Sequence, residues 1–490
     1  MVAHRRVTQI SAILWNLTFL SSFSCVPSTA RTTDSTTAKP ATTMPTTPIN
    51  PKTLDHLHDF EFGSMRLSRW RLGNGLEVVL GPDPLAHAAC YMTWYRVGSR
   101  DENAGAGETG LAHLFEHLMF TQTKSQSEGE FDGRMDAIGA DINAMTDNDF
   151  TAYVNVMPPH ELPLAITLES DRMVNLALSK KQVQTEREVV SEERLQTVED
   201  DVDGTLHERI LDRAYVKHPY RWPVIGRMED IKAVTPKKAL AFYKTYYAPN
   251  NAVVIVTGRF DPQTVLAAIV EHYGRIPPAP TPMNIAPVEV APVADARIEI
   301  EGPVPADRVA FAFAAPSMGD ADRPAFELMN ELLTGGPSAR LHHDLVVQSE
   351  MASSVNGQVG STRDPGLYLL WVQMRRARAS AEAERVVLSA CKALSETGPS
   401  PEELEGARNR IRTQFWAGLT SSQGRAEQLG YFEIGTGDYR KLFSRNDAYN
   451  KVTAVDIARL ARSHLVQHPH IVAITHPLPG AQSSASDDEP

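Results

Sequence analysis

The chain has 490 residues, with 48 Lys and Arg against 60 Asp and Glu, and a net charge of −12. That acidic balance argues against a nucleic-acid binder, which would normally carry a basic face. Hydrophobic residues at 42% and charged residues at 22% sit near globular averages, while three cysteines are too few for a disulfide scaffold.

At the N-terminus, Arg5 and Arg6 precede a mostly apolar run from Ile10 to Leu20. The run is shorter than the roughly 20 apolar residues that span a bilayer, and it reads as the core of a secretory signal. Cleavage after Ala30, or before a Cys25 that would then carry lipid, are both open. The expectation is an exported chain: periplasmic, anchored in the outer membrane through Cys25, or secreted.

Residues 31–53 then hold nine Thr, four Pro and one Ser, too little apolar surface to offset the entropy of ordering. They predict a spacer, which we extend to residue 58. The first folded half is placed at 59–276. Within it Leu76–Leu80 and Cys90–Val97 read as strands, Leu111–Phe120 as a helix, and His160–Leu178 as a buried helix with apolar residues at Leu162, Ile166, Met173 and Leu176.

Six prolines between 277 and 292 predict an extended linker. A second half follows at 293–478, with strands at Arg308–Ala314 and Gly366–Gln373 and a helix at Arg323–Thr334, before a disordered acidic tail at 479–490. The ends of the two halves echo each other. Thr235 leads a helix-like stretch, a turn at Pro249 and a strand ending at Thr257; Thr453 leads the same series through Pro469 to Thr475, and each spans 22 positions. The predicted class is α+β: two homologous halves, each a mostly antiparallel sheet packed with helices, joined by the Pro-rich linker. Cys90 and Cys391, one per half, are expected as buried free thiols rather than a bridge.

The sharpest chemical signal is His113-Leu114-Phe115-Glu116-His117. On a helix, His113 and His117 share one face and Glu116 lies beside them. Two imidazoles one turn apart can share zinc, which in hydrolases takes three protein ligands and leaves a fourth position for water. Glu116 is placed to take a proton from that water as general base. Chance supplies about 0.06 such acid-bearing matches in a chain of this composition. A third ligand is required, and the segment Glu186–Arg194 offers several carboxylates. Glu186 and Glu193 fall on one helical face, so one could bind metal while the other supports a histidine, and spacing does not choose between them.

With Asn74-Gly75-Leu76, Val97-Gly98-Ser99, Gly110-Leu111-Ala112-His113, Glu116-His117 and Phe120, the chain resembles the insulinase/pitrilysin family of zinc metallopeptidases, whose signature is H-x-x-E-H. The resemblance covers nearly the whole body. It implies two halves enclosing a chamber in which extended or unfolded peptides are cut. It also implies a third ligand about 76 residues after the second histidine, which is Glu193, with Glu186 as the supporting carboxylate of the catalytic site. Gly139 to Ala144, followed by Asp149, Thr151 and Tyr153, is similar to the family's edge strand, so Asn143 and Ala144 are expected to dock the substrate main chain. His218-Pro219-Tyr220 to Gly226 also resembles a family segment, to which we assign a structural role.

Gly335-Gly336-Pro337 resembles the family's glycine-rich block, but Ser349 and Ser353 stand where active chains usually carry an Arg and a Tyr. Neither serine supplies a guanidinium or a phenol. The expectation is therefore a heterodimer with a homologous metal-free partner subunit carrying that pair. The rival readings are a non-catalytic assembly subunit of the same fold and a module that binds peptides without cutting them.

Overall fold

The computed structural model describes residues 54–280 and 289–479. The signal with Cys25, the spacer up to residue 53, positions 281–288 of the linker and the tail beyond 479 lie outside the described residues.

The first sheet has seven strands: β1 (Leu54–Phe62), β2 (Met65–Leu72), β3 (Glu77–Pro82), β4 (Ala89–Tyr95), β5 (Asp141–Thr146), β6 (Thr151–Met157) and β7 (Ala252–Gly258). Their order is β1-β2-β3-β7-β4-β6-β5, antiparallel throughout except where β3 runs parallel to β7. β7 is the run Ala-Val-Val-Ile-Val-Thr-Gly, buried at every position. β-branched residues suit a central strand covered on both faces, which is why it shows no alternation.

The second sheet holds β8 (Ala296–Gly302), β9 (Arg308–Ala315), β10 (Ala352–Val359), β11 (Gly366–Met374) and β12 (Ile471–Pro477). Its order, β8-β12-β9-β11-β10, repeats β3-β7-β4-β6-β5, including one parallel pair, β8 with β12. The hairpin β1–β2 is the extra piece of the first sheet. The paired threonines take equivalent places as well: Thr235 and Thr453 each cap a helix by accepting a backbone N–H, from Lys238 at 3.3 Å and from Asp456 at 3.2 Å.

One boundary differs from the sequence expectation. Leu54 to His58, counted with the spacer on composition, are already paired with β2 from Leu72 down to Arg69. Asp55, His56 and Asp59 give this strand a polar outer side, which hides it from a hydrophobicity reading, while Phe60 and Phe62 pack on Phe443 with ring centroids 5.0 and 4.8 Å away.

The two halves exchange helices. One face of the first sheet, with Cys90, Met92, Trp94, Val154 and Ile255, packs against Ala426, Leu429, Phe432 and Phe443 from the C-terminal part of the chain. One face of the second sheet, with Ala310, Ala312, Leu369 and Ala473, is covered by Leu206, Ile210 and Ala214, which belong to the helix Val202–Ala214 preceding the linker. Each half thus completes the other's core. Cys90 and Cys391 are both buried and free, and burial raises their pKa, that of Cys391 to about 12. No helix among the described residues is long and apolar enough to cross a membrane.

Candidate metal centre

The helix carrying the histidine pair spans Leu111–Leu118 and is fixed at both ends. Gly110 precedes it at φ +86°, where any Cβ would lie 2.4 Å from the Ile225 carbonyl oxygen, so only glycine fits. The buried Glu102 carboxylate accepts the N–H groups of Gly110 at 3.0 Å and Ala112 at 2.8 Å, together with the Trp222 indole N–H at 3.0 Å. It thereby satisfies two of the helix's otherwise unpaired N–H donors. In the last turn the Tyr153 hydroxyl donates to the Phe115 carbonyl oxygen at 3.0 Å.

The facing helix, Lys180–Arg194, begins with Ser179 and Gln182 in a capping box. Arg187 on the Val234 carbonyl at 2.9 Å and Arg194 on the Gly226 carbonyl at 2.5 Å pin it from behind. Glu186 and Glu193 therefore face the histidines. The Glu193 carboxylate lies 3.7 Å from Nε2 of His113 and 3.3 Å from Nε2 of His117, while Glu186 lies 3.6 Å from Nδ1 of His117. His113, His117 and Glu193 each offer a ligand atom, and these atoms lie within 4.8 Å of one another, the only such cluster of three among the described residues.

The chemistry of this cluster suits a borderline cation. Nδ1 of His113 and Nε2 of His117 are buried without a hydrogen-bond partner, and an orphaned buried nitrogen costs about 1–3 kcal/mol unless something binds it. Two imidazoles and one carboxylate are a donor set that fits zinc, whereas calcium and magnesium prefer oxygen alone. In the metal-free protein burial works against a charge on His117, yet Glu186 and Glu193 outweigh it and push its pKa up to about 10. Burial likewise favours the neutral form of Glu193, but the two histidines hold it below its ordinary value. Glu116 is 4% exposed, and its carboxylate makes no hydrogen bond to any described residue.

Among the described residues β5 is the edge of the first sheet, bonded to β6 alone. It runs beside the histidine helix and carries Asn143, half-buried, and Ala144, buried. Ala144 pairs with Tyr153, the residue that holds the Phe115 carbonyl. Its N–H is held by the Asn143 side-chain oxygen at 2.9 Å.

The second half has an ion pair in the matching place. Its helix Arg323–Thr334 packs against Pro401–Gly418 and β10, as Leu111–Leu118 packs against Lys180–Arg194 and β5. There Arg410 Nε donates to Glu331 at 2.9 Å. Arg410 stands 217 positions after Glu193, close to the 218 that separate Thr235 from Thr453. The Ser349 hydroxyl donates to the Asp344 carbonyl at 2.5 Å and that of Ser353 to the Gln373 carbonyl at 3.2 Å, so both are turned to their own backbone. The sequence reading missed Glu102, Trp222, Glu331 and Arg410. For Arg410 the repeat offset was an available signal; for Glu102, one acid in an irregular loop, there was none.

Residues 77–227, which contain all seven predicted site residues, match the family model described as Insulinase (Peptidase family M16). Residues 233–411 match the model described as Peptidase M16 inactive domain, in keeping with a second half whose counterpart site is an ion pair. An uncharacterized zinc protease of Mycobacterium tuberculosis is 29% identical over 419 residues, 84% of this chain and 93% of its own length. The mitochondrial-processing peptidase subunit beta of Lentinula edodes is 24% identical over 412 residues, 80% of this chain and 86% of its own. The crystal structure of a protease from Helicobacter pylori superposes with a TM-score of 0.79 at 26% identity, covering 84% of this chain and 99% of that one. Matched along both halves, and with its histidine pair in the half that the insulinase model covers, the chain belongs to the insulinase (M16) family of zinc peptidases.

Proposed function

We propose that the chain is a zinc-dependent endopeptidase that hydrolyses extended or unfolded peptides as the metal-bearing subunit of a heterodimer, outside the cytoplasm. The observation that carries this reading is the convergence of His113, His117 and Glu193 within 4.8 Å, beside a buried Glu116 carboxylate.

His113, His117 and Glu193 would hold zinc, which when bound polarises the scissile carbonyl and makes water a nucleophile near neutral pH. Glu116, next to His117 in sequence, takes the proton from the attacking water and passes it to the departing amine. Glu186, facing Nδ1 of His117, keeps that ring in the tautomer and orientation the metal requires. With a water nucleophile, no acyl-enzyme forms. The peptide adds to the edge of β5 through its main chain, one of its carbonyls displacing the Asn143 oxygen from the Ala144 N–H. Main-chain pairing tolerates varied side chains.

The proposal of a homologous metal-free partner supplying an Arg and a Tyr is supported by Ser349 and Ser353, whose hydroxyls are committed to their own backbone. The relative named as a processing-peptidase subunit supports a multi-chain setting. Export rests on the N-terminal sequence alone.

The test is zinc stoichiometry of the purified chain together with hydrolysis of an unstructured peptide, with and without a chelator and with and without the co-expressed partner. One zinc per chain and chelator-sensitive cleavage that rises sharply with the partner are expected. A folded chain that binds no zinc would leave an assembly role instead, and full activity without a partner would remove the heterodimer.

A further inference from the structure

The segment His218-Pro219-Tyr220 takes no part in the proposed chemistry, yet it lies where the β5–β6 turn of the first half meets the β10–β11 turn of the second. The turn between β5 and β6 holds Asp149, which is 4% exposed. The Tyr220 hydroxyl donates to both Asp149 oxygens, at 3.0 and 2.9 Å. A second donor comes from the second half: the Arg363 backbone N–H, 2.9 Å from the same carboxylate. Arg363 and Asp364 form the turn between β10 and β11, the counterpart of the β5–β6 turn in the repeat.

Asp364 in turn accepts Arg100 Nε at 2.7 Å and faces His218 Nε2 at 3.1 Å. The backbone N–H groups of Ser99 and Arg100 donate to the carbonyls of Asp147 and Asn148. Gly98 lies so close beneath this turn that a Cβ there would be 2.3 Å from the Asp147 carbonyl oxygen. The β5–β6 turn is therefore held on one side by the loop leading to the histidine helix and on the other by the second half.

We infer that Asp149 is a positioning residue through which the second half, directly by the Arg363 N–H and indirectly by the Asp364 N–H on the Tyr220 hydroxyl of the first half at 3.3 Å, holds the peptide-docking edge of β5 in register with the histidine helix. This rests on the proposed docking of peptide at β5, and it gives the half without a metal cluster a part in substrate binding. An edge strand has hydrogen-bond partners on one side only. Its end must be anchored elsewhere if the strand is to meet a peptide already ordered, so that peptide binding does not bear the cost of ordering it. One phenol proton shared between both oxygens and one main-chain N–H, on one buried carboxylate, are such an anchor.

The experiment replaces Tyr220→Phe, which removes the hydroxyl with little change of volume, and separately Asp149→Asn, in the full chain. Amide hydrogen exchange across residues 141–157, zinc content, KM and kcat for an unstructured peptide are measured. Expected are faster exchange in β5 and its turn, unchanged zinc, and a KM raised roughly fivefold or more with kcat within about twofold, the pattern of lost binding rather than lost chemistry. Unchanged exchange in Tyr220→Phe would overturn the inference while leaving the peptidase reading intact. Faster exchange with an unmoved KM would overturn it from the other side, by showing that β5 does not hold the substrate. If the wild-type chain cleaved no peptide, the proposed function would fail, and the exchange measurement would still report whether the clasp exists. Should Asp149→Asn fail to fold, Tyr220→Phe alone decides.

Discussion

Arg69 in β2 and Glu433 in the helix Ser422–Thr436 lie 2.7 Å apart although 364 residues separate them. Arg69 also contacts Glu77 at 2.5 Å, and Arg96 reaches both Glu77 and Glu433 at 3.1 Å. This cluster is the polar part of the seam along which the C-terminal helices cover the first sheet. The Glu433 side chain is 1% exposed. Removing one partner of a buried pair strands the other charge, which typically costs about 3–5 kcal/mol. Glu433→Ala should therefore lower the unfolding free energy measured in urea by that amount, with little direct effect on zinc content. A change under about 1 kcal/mol would show that water already reaches the cluster.

The same cluster predicts a response to acid. Burial alone would raise the pKa of Glu77, but hydrogen bonds from Arg71 and Arg69 and the charge of Arg96 lower it to about 2 from its ordinary 4.5. A group whose folded pKa is depressed adds stability that is present above its unfolded value and is lost as pH falls through the folded value. Titrating the wild type from pH 5 to pH 2 should thus cost more stability than titrating Glu77→Gln over the same window. Parallel curves would remove Glu77 from the account.

The metal helix was legible because two histidines at i and i+4 leave a local mark, as were the β-branched runs of β7 and β12 and the repeated threonine caps. Glu193 was legible only through resemblance, since proximity across about 76 residues leaves no periodic trace. β1 was hidden by its polar outer residues. The helix exchange was hidden for a more general reason: an amphipathic helix announces which face it buries, not which sheet it buries it against. Leu206 and Ile210 would look the same on either half.

Gly430 marks how close the helix Ser422–Thr436 comes to the first sheet. A Cβ there would sit 2.0 Å from Cε2 of Trp94, a fully buried ring of β4. In an exposed helix, Gly→Ala gains about 1 kcal/mol. Here overpacking, worth about 1–3 kcal/mol or more, should win, so Gly430→Ala is expected to destabilise. Thermal denaturation gives the sign directly, and a raised Tm would mean the helix slides away from Trp94 at no cost.

Glu186 and Glu193 occupy one face of one helix but should differ in their effect on metal. Glu193→Gln is expected to abolish stoichiometric zinc, while Glu186→Gln should keep it with affinity weakened about 10- to 100-fold. Proton competition adds a second signature. Because His117 titrates near 10 in the metal-free protein, zinc must displace a proton, and its apparent affinity should rise by up to about tenfold per pH unit from pH 7 toward 10. The metal-free fold shows the opposite trend. With the folded pKa above the ordinary 6.5, the stability from the charged ring is complete below that value and is lost as pH rises toward 10. Equal zinc loss in both variants would place Glu186 among the ligands.

Glu116 is the position at which binding and chemistry separate. It stands next to His117 yet is not one of the three residues whose ligand atoms converge, and its carboxylate makes no hydrogen bond to any described residue. Glu116→Gln keeps the shape and removes the base. Zinc should remain at one per chain and peptide KM should stay within a few-fold, because neither the histidines nor β5 is altered. Turnover should fall by about 10²- to 10⁴-fold, the usual worth of a positioned general base. Chelator competition and single-turnover cleavage read the two effects independently. Loss of zinc along with activity would make Glu116 a ligand, and undiminished cleavage would assign the proton to another group.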